Sequence, residues 1–364
     1  MTSYGGASTR ERSALRYRTP ANGWISAKSP PLDGARAPEP RSYLGSATRL
    51  TPYNPGVKTL RRRSFLASLG AGLAAPALLR ARGRSKRLPL CFSTLGCPAW
   101  SWRRILDEAD RLGYAAIEVR YLEYDPNLPR RPEFTGTRRR ESRRDLESLG
   151  IELVNLGSGV RLHEKDPVTR ARQLDDGRRF IDLAHALEVP YVRVFPDKLV
   201  AGEPPAETLA RIVDGGRQLA EAARGSGVSV LLESHGDLTR SELLEPVLQG
   251  VGSDRFALLW DAHHTAASGG EEGAVTWRRL GRFVRHVHLK DSRPAGSRRR
   301  YVLTGEGDVP VREQVRLLVA GGYSGYYSFE WELCGHPDIG EPEVAFPHYV
   351  KVMAEYLAAA GYEA

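Results

Sequence analysis

The chain reads as an α/β protein, a (β/α)8 TIM barrel preceded by a disordered basic leader and a signal peptide. Three observations carry that reading. From Leu88 onward, short runs rich in β-branched and aromatic residues alternate with longer amphipathic stretches, eight of each in about 274 residues, which is the count and size of such a barrel. Several of the amphipathic stretches stop at a glycine (Gly113, Gly150, Gly225, Gly250 and Gly321), a helix-ending signal. The charge is also unevenly divided. Residues 1–90 hold 17 Lys+Arg against 3 Asp+Glu, while the rest of the 364-residue chain holds 36 against 41. The overall +9 therefore belongs to a leader, and the domain behind it is mildly acidic at −5. That balance removes the case for a nucleic-acid partner that the total charge would suggest.

Residues 1–60 show no apolar periodicity and are dominated by Pro, Ser, Gly and Arg, a composition that cannot bury a core, so a disordered leader is expected there. Arg61-Arg62-Arg63-Ser64-Phe65-Leu66 then precedes an apolar run of 13 residues, Ala67 to Leu79. That run is too short for a membrane span of roughly 20 residues and fits the apolar region of a signal peptide. The Arg-Arg-x-Phe-Leu order at 62–66 resembles a twin-arginine export signal, and Ala75-Pro76-Ala77 offers a cleavage site. A signal peptide over 61–82, handled by the twin-arginine export machinery, is therefore expected, with an exported barrel over 88–361 and no permanent membrane anchor. A start codon assigned too far upstream would give the same leader on a cytoplasmic protein. Cys91, Cys97 and Cys334 are too few for a disulfide framework.

The strands are expected at 90–95, 115–119, 151–156, 190–195, 228–233, 256–261, 284–290 and 326–331. Between them, Trp102–Leu112 places Ile105, Leu106, Ala109 and Leu112 at helical spacing. Arg138–Leu149, Val168–Leu187, Glu207–Arg224, Arg240–Gln249, Ala274–Leu280, Val311–Ala320 and Ala345–Ala360 complete the helices. An open doubly wound sheet would need a Gly-rich phosphate turn after the first strand. Thr94-Leu95-Gly96-Cys97-Pro98 is not one, and no Walker or G-x-G-x-x-G sequence follows any strand.

In such a barrel the functional groups project from the C-terminal ends of the strands. Glu233 ends the fifth, Asp261 the sixth, and His286, His288 and Lys290 share one face of the seventh because side chains alternate with period two. Glu330 and Glu332 share a face of the eighth. Carboxylates crowded at one mouth repel one another, and a divalent cation removes that cost. The set Glu233, Asp261, His288 and Glu330 offers three oxygen donors and one imidazole without thiolate, which suits Mn²⁺, Mg²⁺ or Co²⁺, with Zn²⁺ as a further option.

Leu-Glu-Ser-His-Gly, Trp-Asp-Ala-His-His, His-Val-His-Leu-Lys-Asp and Ser-Phe-Glu-Trp-Glu resemble, in this order, the strand-end motifs of the xylose isomerase-like sugar phosphate isomerase/epimerase superfamily, over about residues 90–360. The resemblance implies a metal centre at Glu233, Asp261, His288 and Glu330, with Glu332 a rival for Glu330. It implies that Glu233 and Glu330 are also catalytic, one removing a carbon proton of a sugar or polyol and the other returning it. It places His264 against substrate. His235, Lys290, Arg193 and Trp100 are further candidates for substrate contact, although Arg193 could instead pair with Glu118 on the second strand. Within that superfamily the expected reaction is isomerisation or epimerisation through an enediolate. A dehydratase of a keto-polyol and a non-catalytic sugar-binding barrel are the alternatives. A DNA-repair endonuclease, which would need a basic groove and more metal ligands, is disfavoured. A homo-oligomer is compatible with the sequence.

Overall fold

The structure is a computed structural model and describes residues 87–363. The expected leader over 1–60 and signal peptide over 61–82 lie outside the described residues. Eight parallel strands close into a barrel: β1 (Leu90–Ser93), β2 (Ala116–Val119), β3 (Glu152–Arg161), β4 (Tyr191–Phe195), β5 (Ser229–Glu233), β6 (Phe256–Asp261), β7 (Val284–Leu289) and β10 (Tyr327–Phe329). Going round the ring, β1 is followed by β10, β7, β6, β5, β4, β3 and β2. The helices outside it are α1 (Trp102–Leu112), α2 (Gly136–Leu149), α3 (Pro167–Leu187), α4 (Pro205–Ala222), α5 (Ser241–Val251), α6 (Gly273–Leu280), α7 (Val311–Ala320) and α8 (Pro342–Ala359). Local chemistry sets their ends. The Ser101 hydroxyl caps α1 by accepting from the Arg104 N–H at 3.4 Å, and Gly113 closes the helix in the left-handed region at φ 77°.

Period-two alternation divides the strand residues into two sets. Outward residues such as Leu90, Phe92, Ile117, Val192, Leu232, Leu258 and Val287 join the large core under the helices. The other parity forms two separate small clusters, Cys91–Ala116–Val154 and Leu231–Ala257–Leu259. The next residues of that same parity are polar: Ser93, Glu118, Glu233 and Asp261. The barrel interior is thus apolar below and charged at the C-terminal mouth.

Three departures from the expected pattern have physical causes. β3 runs to Arg161 instead of stopping near 156. Gly157 allows this, because a Cβ there would lie 2.9 Å from Nη2 of Arg193, and the strand regains its partner only at Arg161–Phe195 after a register shift. The last barrel strand ends at Phe329, so Glu330 and Glu332 lie beyond it instead of on one strand face. An antiparallel hairpin, β8 (Asp291–Ala295) and β9 (Arg298–Val302), follows β7 directly. The sequence does not announce it, since Asp-Ser-Arg-Pro-Ala and Arg-Arg-Arg-Tyr-Val show little apolar alternation. Its anchor is Asp291, whose buried carboxylate accepts N–H bonds from Ser292 (2.8 Å), Gly305 (2.9 Å), Gly307 (3.0 Å) and Val309 (3.2 Å).

Candidate metal and active site at the barrel mouth

Strand ends β5, β6 and β7 and the residue after β10 bring Glu233, Asp261, His288 and Glu330 together, with one donor atom from each lying within 4.8 Å of the others. All four are buried. Nδ1 of His288 faces the three carboxylates, at 3.6 Å from Glu233 Oε1, 3.9 Å from Asp261 Oδ2 and 3.2 Å from Glu330 Oε2. Burial alone would push the His288 imidazole down, but Glu118 and Glu330 hold it well above its ordinary value. The Asp261 carboxyl is pushed up to about 7, first by burial, with Lys290 acting in the opposite sense. The donor set fits a divalent cation on one further observation. Nδ1 of His288 is buried without a hydrogen-bond partner, which is expensive for a polar atom unless a cation completes it.

The far side of the imidazole is fixed by Glu118. Its Oε2 accepts from Nε2 of His286 at 2.7 Å and of His288 at 3.1 Å, and from the Asn155 amide at 3.3 Å. Burial raises the Glu118 carboxyl, but the two imidazoles more than offset this and hold it well below the usual range. With Nε2 committed as a donor to Glu118, Nδ1 is the atom of His288 left to face a cation, the arrangement that orients metal-binding histidines. The sequence suggests Glu118 only as a partner for Arg193, and the structure corrects that. Arg193 lies over the Phe195 ring at 3.8 Å and pairs with Glu233, Nη1 to Oε2 at 3.3 Å.

The remaining expected residues divide. Lys290 is fully buried, with Nζ 2.6 Å from Asp261 Oδ2, 2.8 Å from Glu332 Oε1 and in contact with Glu330 Oε2. Glu332 is thus part of the mouth but not of the four-residue cluster, where Glu330 stands. His264 donates its N–H to Asp261 Oδ1 at 2.8 Å and brings Nε2 to 3.4 Å from Oδ2. Burial, reinforced by Lys290, keeps its ring well below its ordinary value and so neutral. His235 packs between Phe195 and His264, with ring centroids 4.5 and 5.1 Å away, and pairs with Asp197 at 3.4 Å. Trp100 is buried. It is packed edge-on against Phe346 at 5.6 Å, with the Arg104 guanidinium over its ring. Sequence reasoning misses Tyr301 of β9, whose ring lies 5.3 Å from His263 and 4.8 Å from His336. Its phenol is pushed up by burial and by the carboxylates of the mouth, against the lowering effect of Lys290. The only signal for it is a lone aromatic at the end of an arginine run, which strand periodicity cannot assign to a mouth.

Comparison with known proteins agrees with this geometry. The family described as xylose isomerase-like TIM barrel matches residues 106–355. An inosose isomerase of Halalkalibacterium halodurans is 24% identical over 234 residues, 62% of this chain and 80% of that protein. An inosose dehydratase of Bacillus licheniformis is 28% identical over 198 residues, 48% of this chain and 63% of that protein. In fold, the structure of the IolI protein with a bound zinc atom superposes with a TM-score of 0.61 at 17% identity, covering 75% of this chain and 98% of that one. With the family matching most of the closed barrel, the chain belongs to the xylose isomerase-like TIM barrel family.

Proposed function

We propose that this protein is a metal-dependent carbohydrate isomerase or epimerase that moves a carbon-bound proton of a sugar or polyol at the barrel mouth. The observation that carries the proposal is the convergence of Glu233, Asp261, His288 and Glu330 around the unpartnered Nδ1 of His288. These four would hold one divalent ion, and the oxygen-rich set favours Mn²⁺, Mg²⁺ or Co²⁺, with Zn²⁺ a further option. When bound, such an ion supplies Lewis-acid polarisation of a carbonyl oxygen.

The chain's own residues supply the rest. Glu233 and Glu330 come from strands separated by β6 and β7, so their carboxylates approach the mouth from different directions. One, as a carboxylate, would take the proton from the carbon beside the carbonyl, and the other, after picking up a proton from solvent, would deliver that proton to the carbon from its own side, general acid-base work by two carboxylates. Burial pushes both carboxyls up. Arg193 and His288 at Glu233, and His288 and Lys290 at Glu330, more than offset this and keep both ionised. His264 and His235 would contact substrate hydroxyls, the neutral ring of His264 being able to donate or accept.

The identity to an inosose dehydratase supports a second reading, a lyase that forms the same enolate and expels a hydroxyl, again by acid-base catalysis. One experiment separates the two. The protein is incubated with Mn²⁺ and a panel of ketoses and inososes in D₂O, followed by proton NMR and mass spectrometry. Deuterium at the carbon beside the carbonyl with no loss of mass as water supports the isomerase, and water loss supports the lyase. No exchange with any compound rejects both. We also propose, from the Arg-Arg-x-Phe-Leu motif at 62–66, that the barrel is exported without its leader. Cleavage after Ala77 would leave 41 Lys+Arg against 41 Asp+Glu, so the secreted form should focus near neutral pH, and a mature band as basic as the full chain would reject export with cleavage.

A further inference from the structure

We infer that the buried ammonium of Lys290 fills a second cation position in this mouth, so that the centre takes one divalent ion where its other side chains could hold two. The inference rests on the metal-centre reading above and concerns how many ions the centre accepts. A second set of donor atoms, from His264, Glu330 and Glu332, also lies within 4.8 Å of one another and shares Glu330 with the first set. Nζ of Lys290 occupies their midst. It is 2.8 Å from Glu332 Oε1 and 3.5 Å from His264 Nε2, touches Glu330 Oε2, and reaches Asp261 Oδ2 at 2.6 Å.

Two carboxylates therefore face both positions through the same oxygen. Asp261 Oδ2 is 2.6 Å from Nζ and 3.9 Å from His288 Nδ1, and Glu330 Oε2 touches Nζ while lying 3.2 Å from that nitrogen. Carboxylates shared in this way are how paired metal ions are held roughly 3.5–4 Å apart. Here the protein's own cation stands at one of the two places. The charge balance agrees. Glu233, Asp261, Glu330 and Glu332 are offset by one divalent ion, Lys290 and Arg193, with Glu118 already committed to His286 and His288. A lysine with 0% exposure is otherwise an unfavourable occupant of a protein interior. Here the carboxylates it neutralises offset that cost, and without it Glu332 and His264 would face a mouth short of one positive charge.

The test uses the full chain loaded with MnCl₂ and freed of excess ion by gel filtration, with manganese counted per chain by mass spectrometry and its environment read by electron paramagnetic resonance. Wild type should hold one ion with an isolated-ion spectrum, and remain so with millimolar MnCl₂ present. Lys290→Ala should hold close to two, with the spin-coupled spectrum of neighbouring ions. Adding Glu332→Gln to Lys290→Ala should return the count to one, and Lys290→Arg should stay at one. A Lys290→Ala protein that still binds a single ion overturns the inference. So does a wild type that shows spin-coupled pairs, a result readable even if the alanine variant does not fold. A wild type that retains no manganese, cobalt, magnesium or zinc rejects the metal-centre reading itself, a different outcome from either.

Discussion

Replacing Glu118 by glutamine should weaken metal binding while leaving the barrel folded. The carboxylate accepts three hydrogen bonds, from His286 (2.7 Å), His288 (3.1 Å) and Asn155 (3.3 Å). A glutamine with its carbonyl oxygen at the Oε2 position keeps these acceptor contacts but loses the negative charge, and it puts an NH₂ donor at the Oε1 position, 3.0 Å from His288 Nε2. Both changes weaken the hold on the Nε2 proton of His288 and so the preference for a free Nδ1 facing the three carboxylates. Bonds to a charged group are worth roughly 1.5–3 kcal/mol each. Losing the partner that orients a metal-binding histidine typically lowers affinity about 10–100-fold, or about 1.4–2.8 kcal/mol. Calorimetric titration of wild type and Glu118→Gln with MnCl₂ reads this directly, and thermal melts in EDTA show that the fold survives. An Mn²⁺ affinity within about twofold of wild type would refute the view that Glu118 sets the tautomer of His288.

Other expected outcomes follow from the same geometry. Glu233→Gln and Glu330→Gln should each lower substrate proton exchange by about 10²–10⁴-fold, with far-ultraviolet circular dichroism unchanged; full activity in either would remove that residue from proton transfer. Gly236→Ala should destabilise the loop carrying His235, because Gly236 has φ +63° and an added Cβ would lie 1.8 Å from the Asp197 carbonyl oxygen; a cost of about 1–3 kcal/mol appears as a lower Tm, and an unchanged Tm would show that the loop can move aside. Glu203 is held to about 2 by Thr208 and, against burial, by Arg211 and Lys165. Its folded pKa lies below the unfolded one, so it contributes stability above pH about 4.5 that is lost as pH falls towards about 2; Glu203→Gln should flatten acid unfolding in that window, which denaturant midpoints against pH will show. Asp291→Ala removes four acceptor contacts at once and should expose the segment 303–309 to hydrogen exchange; unchanged protection there would refute the anchoring role of Asp291.

Much of this protein can be read from strand periodicity alone. The parity that places Leu231 and Leu259 inside the barrel also points Glu233 and Asp261 to its mouth, so those two, with His288, are identifiable from the order of residues along each strand. What periodicity cannot supply is which inward groups meet across the ring. Glu118 and Arg193 both face inward, and only barrel closure decides that β2 reaches β7 while Arg193 turns to its neighbour β5. Glu330 and Glu332 are inseparable in the sequence for a related reason, since β10 ends at Phe329 and the chain beyond it does not follow the strand's alternation. The hairpin β8–β9, with Tyr301, is hidden because hydrogen bonds to Asp291 fix its base instead of a buried apolar face. Lys290 can be placed at the mouth, but its position among three carboxylates depends on loops from β6 and β10 arriving together.

Whether Glu233, Asp261, His288 and Glu330 form one divalent metal centre decides everything proposed for this mouth. Crystals grown with MnCl₂ and measured for anomalous scattering test it most directly. One strong peak is expected within bonding distance of all four side chains, with Nδ1 as the His288 donor. No peak at the mouth, or a peak coordinated by other residues, would contradict it.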